Sequence, residues 1–313
     1  MTSLVTSPFG AATFGCLVEG PLDPAWSGDV RALIDTHGFA LLRGSGVASN
    51  AEFRVLGERV MGEFIPYRDA STPRSLVDTG VYSVTDYPAE LDIPPHNEQS
   101  YSTVVPRYIA FYCERPADAG GETVLAESAA WREQISPATR ERFEAEGVLY
   151  VRNFYDWVTP AWQTAFATDS RTEATKRCEA SGGRCEWTVD ALRAIQHGPA
   201  MIRHPVFSVG LWFNQAHLFH PSRLDADTRG ALEELYEPAA MPRSALYGDG
   251  ERIPDERIAE ILHAVERVAC DLRLEAGDVL IADNLRIAHG RRAFAGDRRI
   301  FVMMSSPWEV ISG

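Results

Sequence analysis

The sequence predicts one globular domain, rich in β-strands and covered by helices, and three observations carry that reading. Short apolar runs bounded by Gly or Pro recur along the chain, at 39–42, 108–112, 123–126, 148–151 and 278–282. Segments with helical spacing and cap signals stand between them. No internal repeat, low-complexity tract or linker divides the 313 residues. A prior of about 150 residues per domain suggests two, but barrels and sandwiches routinely run longer. The chain therefore reads as a single domain, 1–313, with helical insertions near 155–200 and 222–270.

Taken in order, residues 29–37 read as a helix stopped by Gly38, and 39–42 as a buried strand ended by Gly44-Ser-Gly46. Ser49 and Glu52 have capping-box spacing. They open a helix whose Phe53, Leu56, Val60 and Phe64 share one face. From 81 to 126 the pattern turns strand-like, broken by Pro94-Pro95 and Gly120-Gly121. Ser136-Pro137 is an N-cap with proline at the first helical position. That helix runs to Gly147, which passes into a strand at 148–151. Residues 155–200 are polar, rich in Trp and Thr, and read as helical. Strands return at 201–203 and 211–213, and helices follow near 225–236 and 254–269. In the second, Ile258, Ile261, Leu262, Val265 and Val268 line one face. Strands at 271–274, 278–282 and 299–304 close the chain.

With 45% hydrophobic and 24% charged residues the composition is that of an ordinary globular protein. Folding at this length buries about three quarters of the chain's surface, enough for a core without disulfide or metal staples. Thirty basic against 44 acidic residues leave a charge of −14, which argues against nucleic acid or an anionic membrane as partner. Only one cation is a lysine, Lys176, so there is no P-loop and Schiff-base chemistry would rest on that residue alone. It sits in a charged run, 171–177, that reads as a solvated helix face, and a GC-rich coding sequence accounts for the arginine bias equally well. No Gly-x-Ser-x-Gly elbow is present. The first basic residue is Arg31, no window nears about 18 apolar residues, and the expected location is the cytoplasm. Cysteines 16, 113, 178, 185 and 270 include no C-x-x-C. Cys178 and Cys185 are close enough in sequence to pair, with reduced thiols the simpler reading.

The strongest local chemistry is Pro94-Pro-His96-Asn97-Glu98. His and Glu at i and i+2 leave a strand end on the same side, so both can reach one ion while Asn97 points away. With a distant histidine they make a 2-His-1-carboxylate triad, which leaves three positions open on Fe(II). Alone the tripeptide is weak. The stretch 277–291 strengthens it: a buried strand, a turn at Asp283-Asn284, then His289-Gly290-Arg291. In the tail, period-2 alternation puts Arg299, Phe301 and Met303 on one face and Ile300, Val302 and Met304 on the other. The fully apolar set is expected to pack outward under helices, leaving Arg299 pointing into a barrel, where a carboxylate is its best partner. Thr123 is a second candidate donor to that carboxylate, or simply part of a turn leading into a strand.

Together, Pro-His-Asn-Glu-x-x-Tyr at 95–101, Cys-Glu-Arg-Pro-Ala-x-x-Gly-Gly-Glu-Thr at 113–123, and Asp-Asn-x-x-x-x-His-Gly-Arg at 283–291 with Arg-Arg-Ile at 298–300 resemble a known pattern. It is that of the taurine dioxygenase (TauD/TfdA) superfamily of Fe(II)/2-oxoglutarate oxygenases, over about residues 35–305. Trp212-Phe-Asn-Gln215 with Leu218-Phe-His220 is similar to the branch of amino-acid-hydroxylating tailoring enzymes typified by the syringomycin-pathway aspartyl hydroxylase. The clavaminate synthase group similarly uses Glu where taurine dioxygenase has Asp.

The resemblance implies a double-stranded β-helix (jelly roll), iron held by His96, Glu98 and His289, and 2-oxoglutarate held by Arg299 and Thr123, with O₂ as co-substrate. It implies hydroxylation of an amino acid or related specialised metabolite, free or carrier-bound, with succinate and CO₂ as co-products. Desaturation, cyclisation or bond cleavage at the same iron is the alternative. A non-catalytic jelly-roll module with a vestigial metal site is a third, against which the intact ligand set argues. Met303 stands where taurine dioxygenase has its sulfonate-binding arginine, so taurine is disfavoured. Glu98 fills the position that halogenases of the superfamily vacate for chloride. Tyr101, Trp212, Asn214 and Met303 are candidate substrate-pocket residues, and Arg107 or Arg292 candidate partners for a substrate carboxylate. His217-x-x-His220 lacks the Glu of H-E-x-x-H and reads as structural or pocket-lining. His37, His197, His204 and His263 read as ordinary.

Overall fold

The computed structural model describes residues 5–9, 14–65, 75–84, 87–155, 161–189, 191–237 and 240–310. Strands β1 (Val5–Pro8) and β2 (Cys16–Glu19) precede helix α1 (Ser27–His37). Gly38 ends that helix at φ 91°, a value that strains any side chain, and the chain turns directly into β3 (Phe39–Arg43). Helix α2 (Asn50–Met61) opens on Ser49, whose Oγ accepts from the Glu52 N–H at 3.3 Å. The Glu52 carboxylate reaches back to the Ala48 N–H at 2.9 Å. Gly62 stops the helix, so Phe64 lies beyond it and bridges to Ser305 instead of extending the helical face.

Then come β4 (Leu76–Asp78), β5 (Val81–Ser83), β6 (Ile93–His96), the long β7 (Val104–Arg115), β8 (Ala119–Gly120) and β9 (Thr123–Glu127). Helices α3 (Ser128–Gln134) and α4 (Pro137–Glu146) follow, the second capped by Ser136 as its sequence predicts, and lead into β10 (Val148–Tyr155). The 155–200 insertion is only partly helical. After α5 (Trp162–Ala165) and α6 (Arg171–Ala180) it forms β11 (Gly183–Trp187) and β12 (Ala191–Gly198). The inward residues of β12 are Leu192, Ala194, Gln196 and Gly198, too mixed in polarity to show a clean strand alternation.

The rest is β13 (Met201–Arg203), β14 (Gly210–Trp212), α7 (Ala216–Phe219), α8 (Ala226–Leu235), β15 (Arg243–Tyr247) and α9 (Asp255–Glu266). Strands β16 (Cys270–Leu272), β17 (Val279–Asp283), β18 (Ile287–Arg291), β19 (Phe294–Ala295) and β20 (Arg299–Glu309) complete it. No helix of the described residues is long and apolar enough to cross a membrane.

An eight-stranded sheet, β1-β2-β3-β17-β7-β20-β5-β4, faces a four-stranded one, β16-β9-β18-β6. All pairings are antiparallel except β2 with β3. A side sheet, β11-β12-β10-β15, packs with α7 beside them. Between the two main sheets lie Leu41, Ile109, Phe111, Leu125, Leu280, Ile287, Ile300, Val302 and Met304. The opposite face of the large sheet buries Leu42, Ala110, Ile281 and Met303 under Val30 and Ile34 of α1 and Phe53, Val60 and Met61 of α2. Two sheets with a shared interior and helices outside are the layers of a jelly roll.

This arrangement reverses the predicted facing of the tail. Ile300, Val302 and Met304 point into the barrel, while Phe301 and Met303 lie under α2. Both faces of β20 are apolar environments, each worth roughly 1.5–3 kcal/mol for a large buried side chain. Hydrophobicity therefore gives no sign of which face is inside.

Candidate active site

His96 ends β6, and β18 runs antiparallel to it with His289 directly opposite. Their rings stand 4.8 Å apart between centroids. Glu98 lies in the turn two residues on, with Oε2 3.6 Å from His289 Nε2. One ligand atom from each of His96, Glu98 and His289 lies within 4.8 Å of the others, so the structure brings together the i, i+2 pair and the histidine that the family resemblance adds to it. Gly290 makes the approach possible, because a Cβ there would meet Ile93 O at 2.4 Å and Pro95 N at 2.9 Å.

Side chains behind the triad fix its direction. Asn284 clamps Glu98 through the backbone: its Oδ1 accepts the Glu98 N–H at 2.7 Å and its Nδ2 donates to Glu98 O at 3.1 Å. Asn97 turns away, donating to Asn284 O at 2.7 Å and Ser128 Oγ at 3.2 Å. His96 Nδ1 donates to Pro94 O at 2.9 Å, and the neutral tautomer this selects carries its lone pair on Nε2. Two imidazoles around a carboxylate that is 5% exposed are the donor set of a divalent transition metal, and the cluster fits Fe(II).

The triad opens into a cavity of about 340 Å³. Phe111, Thr123, Arg291 and Arg298 line it from the barrel strands and the turn before β20. Arg298 shares the parity of Ile300, Val302 and Met304 and faces inward. Among the described residues it has no carboxylate partner and no side-chain hydrogen bond, and burial, with Arg291 nearby, holds its guanidinium down to about 10. A half-buried cation with no carboxylate partner among the described residues calls for an anion, and a carboxylate matches its fork. Arg299 does not take this place. Its side chain is 54% exposed and pairs with Glu114 at 2.8 Å, and the pairing register with β7 shifts between Arg299 and Ile300. Thr123 is buried at the cavity wall.

None of the six substrate-pocket candidates lines this cavity. Tyr101 is packed behind it, against Tyr150 and Phe219. Trp212 lies in the core against Trp131 and Phe143. Asn214 ties backbone, donating to Ala200 O and accepting from Ala216 N–H. Met303 sits under α2, over Gly57. Arg292 is bound to Asp271 and Glu266 at the surface. Arg107 is held by Asp283 at 2.8 Å, in a buried network that also engages His204. Proximity in sequence to the motifs is shared by residues that line a site and residues that lie behind or away from it, and these six lie outside the lining.

The cavity side chains that sequence reasoning missed are Arg298, Arg291, Gln215, Arg223 and Arg243. Only Arg298 carried a usable signal, its parity with the apolar set. His217 is buried, with Nε2 3.0 Å from Pro95 O, and His220 lines the cavity, in keeping with their structural and pocket-lining readings. Cys178 and Cys185 are free thiols.

A jelly roll with a 2-His-1-carboxylate cluster beside an inward arginine defines an iron- and 2-oxo-acid-dependent oxygenase. The chain belongs to the family described as taurine catabolism dioxygenase TauD, TfdA family, which matches residues 2–305. It is accordingly an oxidoreductase, with Fe(II) and 2-oxoglutarate as cofactors. It is 36% identical over 279 residues to the dapdiamide synthesis protein DdaC of Enterobacter agglomerans, covering 89% of this chain and 85% of that one. A clavaminate synthase-like protein of Arabidopsis thaliana is 27% identical, covering 87% and 83%. Among solved structures the fold is similar to PvcB of Pseudomonas aeruginosa, with a TM-score of 0.54, 19% identity and coverage of 96% and 90%. It is also similar to AAD-2 in complex with Mn(II) and N-oxalylglycine, with a TM-score of 0.55, 10% identity and coverage of 99% and 99%.

Proposed function

We propose that this oxygenase hydroxylates an unactivated C–H bond of an amino acid or related specialised metabolite, free or tethered to a carrier protein. The observation that carries the reading is the division of one cavity into two parts. His96, Glu98 and His289, with Arg298 and Thr123 beside them, form a seat for the metal and 2-oxoglutarate. The remaining wall, mostly apolar from Leu218, Phe219, Leu224, Leu232, Met241 and Pro242 and joined by Gln215, Arg223 and Arg243, leaves space for a second small molecule. The named roles of relatives point the same way: DdaC acts in dapdiamide synthesis, and PvcB is an oxygenase of an isonitrile synthetic pathway.

Iron and 2-oxoglutarate, when bound with O₂, supply the oxidising power for C–H attack. The protein's own contributions are positional. The two imidazoles and Glu98 would hold the metal on one side and leave the cavity side open. Arg298, with the Thr123 hydroxyl, would pair with the C5 carboxylate of 2-oxoglutarate in place of Arg299. The apolar wall excludes water and holds the substrate against the open side, so placement decides the outcome.

The test is an anaerobic titration of the Fe(II)- and 2-oxoglutarate-loaded protein, following its charge-transfer absorption as amino acids are added, then turnover with any that perturb it. The expected product is one oxygen atom heavier than the substrate, with one succinate per product. A product two hydrogens lighter would assign the site to desaturation. No absorption band and no succinate with any panel member would remove the proposal. Comparing a free acid with its carrier thioester decides which form is used.

A further inference from the structure

We infer that Gln215, the residue before α7, and His217 within it are positioning residues for the metal: they fix the backbone from which His96 and Glu98 project. The inference rests on the triad and is independent of which substrate the cavity takes.

The segment carrying two of the three ligands has little strand structure to hold it. Pro94 and Pro95 have no N–H to give to the ladder between β6 and β18. That ladder ends at His96, which leaves Asn97 and Glu98 in the turn that follows. Gln99 comes next at φ 56°, a strained value for a residue with a side chain. Pro95, Asn97 and Glu98 are all buried, so their backbone polar groups need partners from elsewhere in the protein.

Side chains supply those partners. His217 Nε2 lies 3.0 Å from Pro95 O; a carbonyl only accepts, so Nε2 carries the proton and donates it. Gln215 Nε2 donates to Asn97 O at 2.8 Å. Pro95 O belongs to the peptide plane entering His96, and Asn97 O to the plane entering Glu98. Asn284 holds the N–H of that second plane and the carbonyl of the next. The orientation of these planes decides where each ligand's Cα–Cβ bond points, so the donors aim both ligands.

The two donors are themselves held. The His217 ring is fully buried and stands edge-on to Trp131, with centroids 5.3 Å apart. Trp131 Nε1 in turn donates to Ile261 O of α9 at 3.0 Å. The Gln215 N–H donates to the Tyr150 hydroxyl of β10 at 2.9 Å. The residues that follow, Leu218, Phe219 and His220, line the cavity. One short helix thus carries part of the substrate wall and, beside it, two supports of the metal ligands. Burying a polar side chain where an apolar one could pack is unfavourable unless its hydrogen bond is used, and both bonds here end on carbonyls next to a ligand.

The metal-free protein and its variants are titrated anaerobically with Fe(II) by calorimetry, with urea midpoints measured alongside. H217L and Q215M keep the bulk and lose the donor. Each should weaken Fe(II) about 10-fold, the lower end for loss of an outer-shell partner. H217Q, whose amide nitrogen can take the place of Nε2, should recover most of the affinity that H217L loses. With 2-oxoglutarate added, the charge-transfer band should move in H217L and Q215M and stay in place in H217Q. Should the fully buried site at 217 not tolerate leucine, Q215M at the cavity wall carries the same test. Lowered midpoints with Fe(II) affinity and band unchanged would overturn the inference, since packing alone would then account for both residues. An H217Q protein no better than H217L would overturn it for His217. An unaltered protein that binds no Fe(II) would remove the triad reading, and the inference with it.

Discussion

Arg298 and Arg299 are adjacent and chemically identical, and they occupy opposite surroundings. Arg298 is turned into the barrel beside Thr123, whereas Arg299 meets Glu114 and Asp297 in solvent. Removing a charged donor from a buried carboxylate typically costs about 1.5–3 kcal/mol, and an exposed ion pair about 0–1 kcal/mol. R298Q is therefore expected to weaken 2-oxoglutarate roughly 10- to 150-fold, and R299Q by no more than a few-fold, read from the cofactor titration of each variant. Equal effects would show that the assignment between the two is wrong. Asn284 offers a second test at this scale. It holds Glu98 by both backbone groups without touching the metal position. N284A should lower metal affinity about 10- to 100-fold, as loss of an outer-shell partner does, with Glu98 still present. A metal titration indistinguishable from that of the unaltered protein would exclude this role.

At the scale of elements, β6 and β18 can lie as close as the triad needs only because residue 290 lacks a side chain. The atoms a Cβ would meet are backbone, from Ile93 to Pro95, and cannot rotate aside. G290A should destabilise the fold by about 1–3 kcal/mol and separate His96 from His289, measured by urea midpoint and metal titration together. Gly230 is the contrast: it lies inside α8, where a Cβ would meet nothing within 4 Å. G230A should stabilise by up to about 1 kcal/mol, and a lowered midpoint would contradict the open space found around residue 230.

Elements with strong local signals were legible from residues alone. The caps at Ser49 and Ser136, the stop at Gly38 and the i, i+2 placement of His96 and Glu98 depend on chemistry within a few positions. Two kinds of feature were not legible. β12 carries Ala, Gln and Gly on its inward face, so its period-2 pattern is blurred and the insertion read as helix. β20 is buried on both faces, so its alternation was visible while its direction was not, and a one-residue slip exchanged Arg298 for Arg299. The far cavity wall was missed for a further reason: Arg223, three residues past the Leu218-Phe-His220 motif, and Arg243, twenty further on, stand in no pattern of spacing that marks them as lining residues.

Across the whole molecule, acid should act through buried histidines. Burial holds His220 below its ordinary value, and pushes His217 down to about 3. In the unfolded chain such a histidine binds a proton below about pH 6.5. The folded protein does not bind it in that range, so stability is full above that pH and falls as pH drops through it. Urea midpoints between pH 7.5 and 5.5 should decline for the unaltered protein and decline less steeply for H220N. Parallel curves would mean that His220 contributes nothing to the slope.

His96 and His289 face each other across one strand pair but lie 193 residues apart in the chain, 289 − 96. Likewise β7 finds both its neighbours, β17 and β20, in the C-terminal part. Such distant pairing makes folding slow and leaves strand edges open while it waits. On the ribosome, the metal pocket cannot exist until residue 289 has emerged, and β7 stays unpaired on both edges through most of translation. The complete three-residue iron site therefore cannot guide folding before that point. The nascent chain, with its open edges, is where chaperones have most to protect.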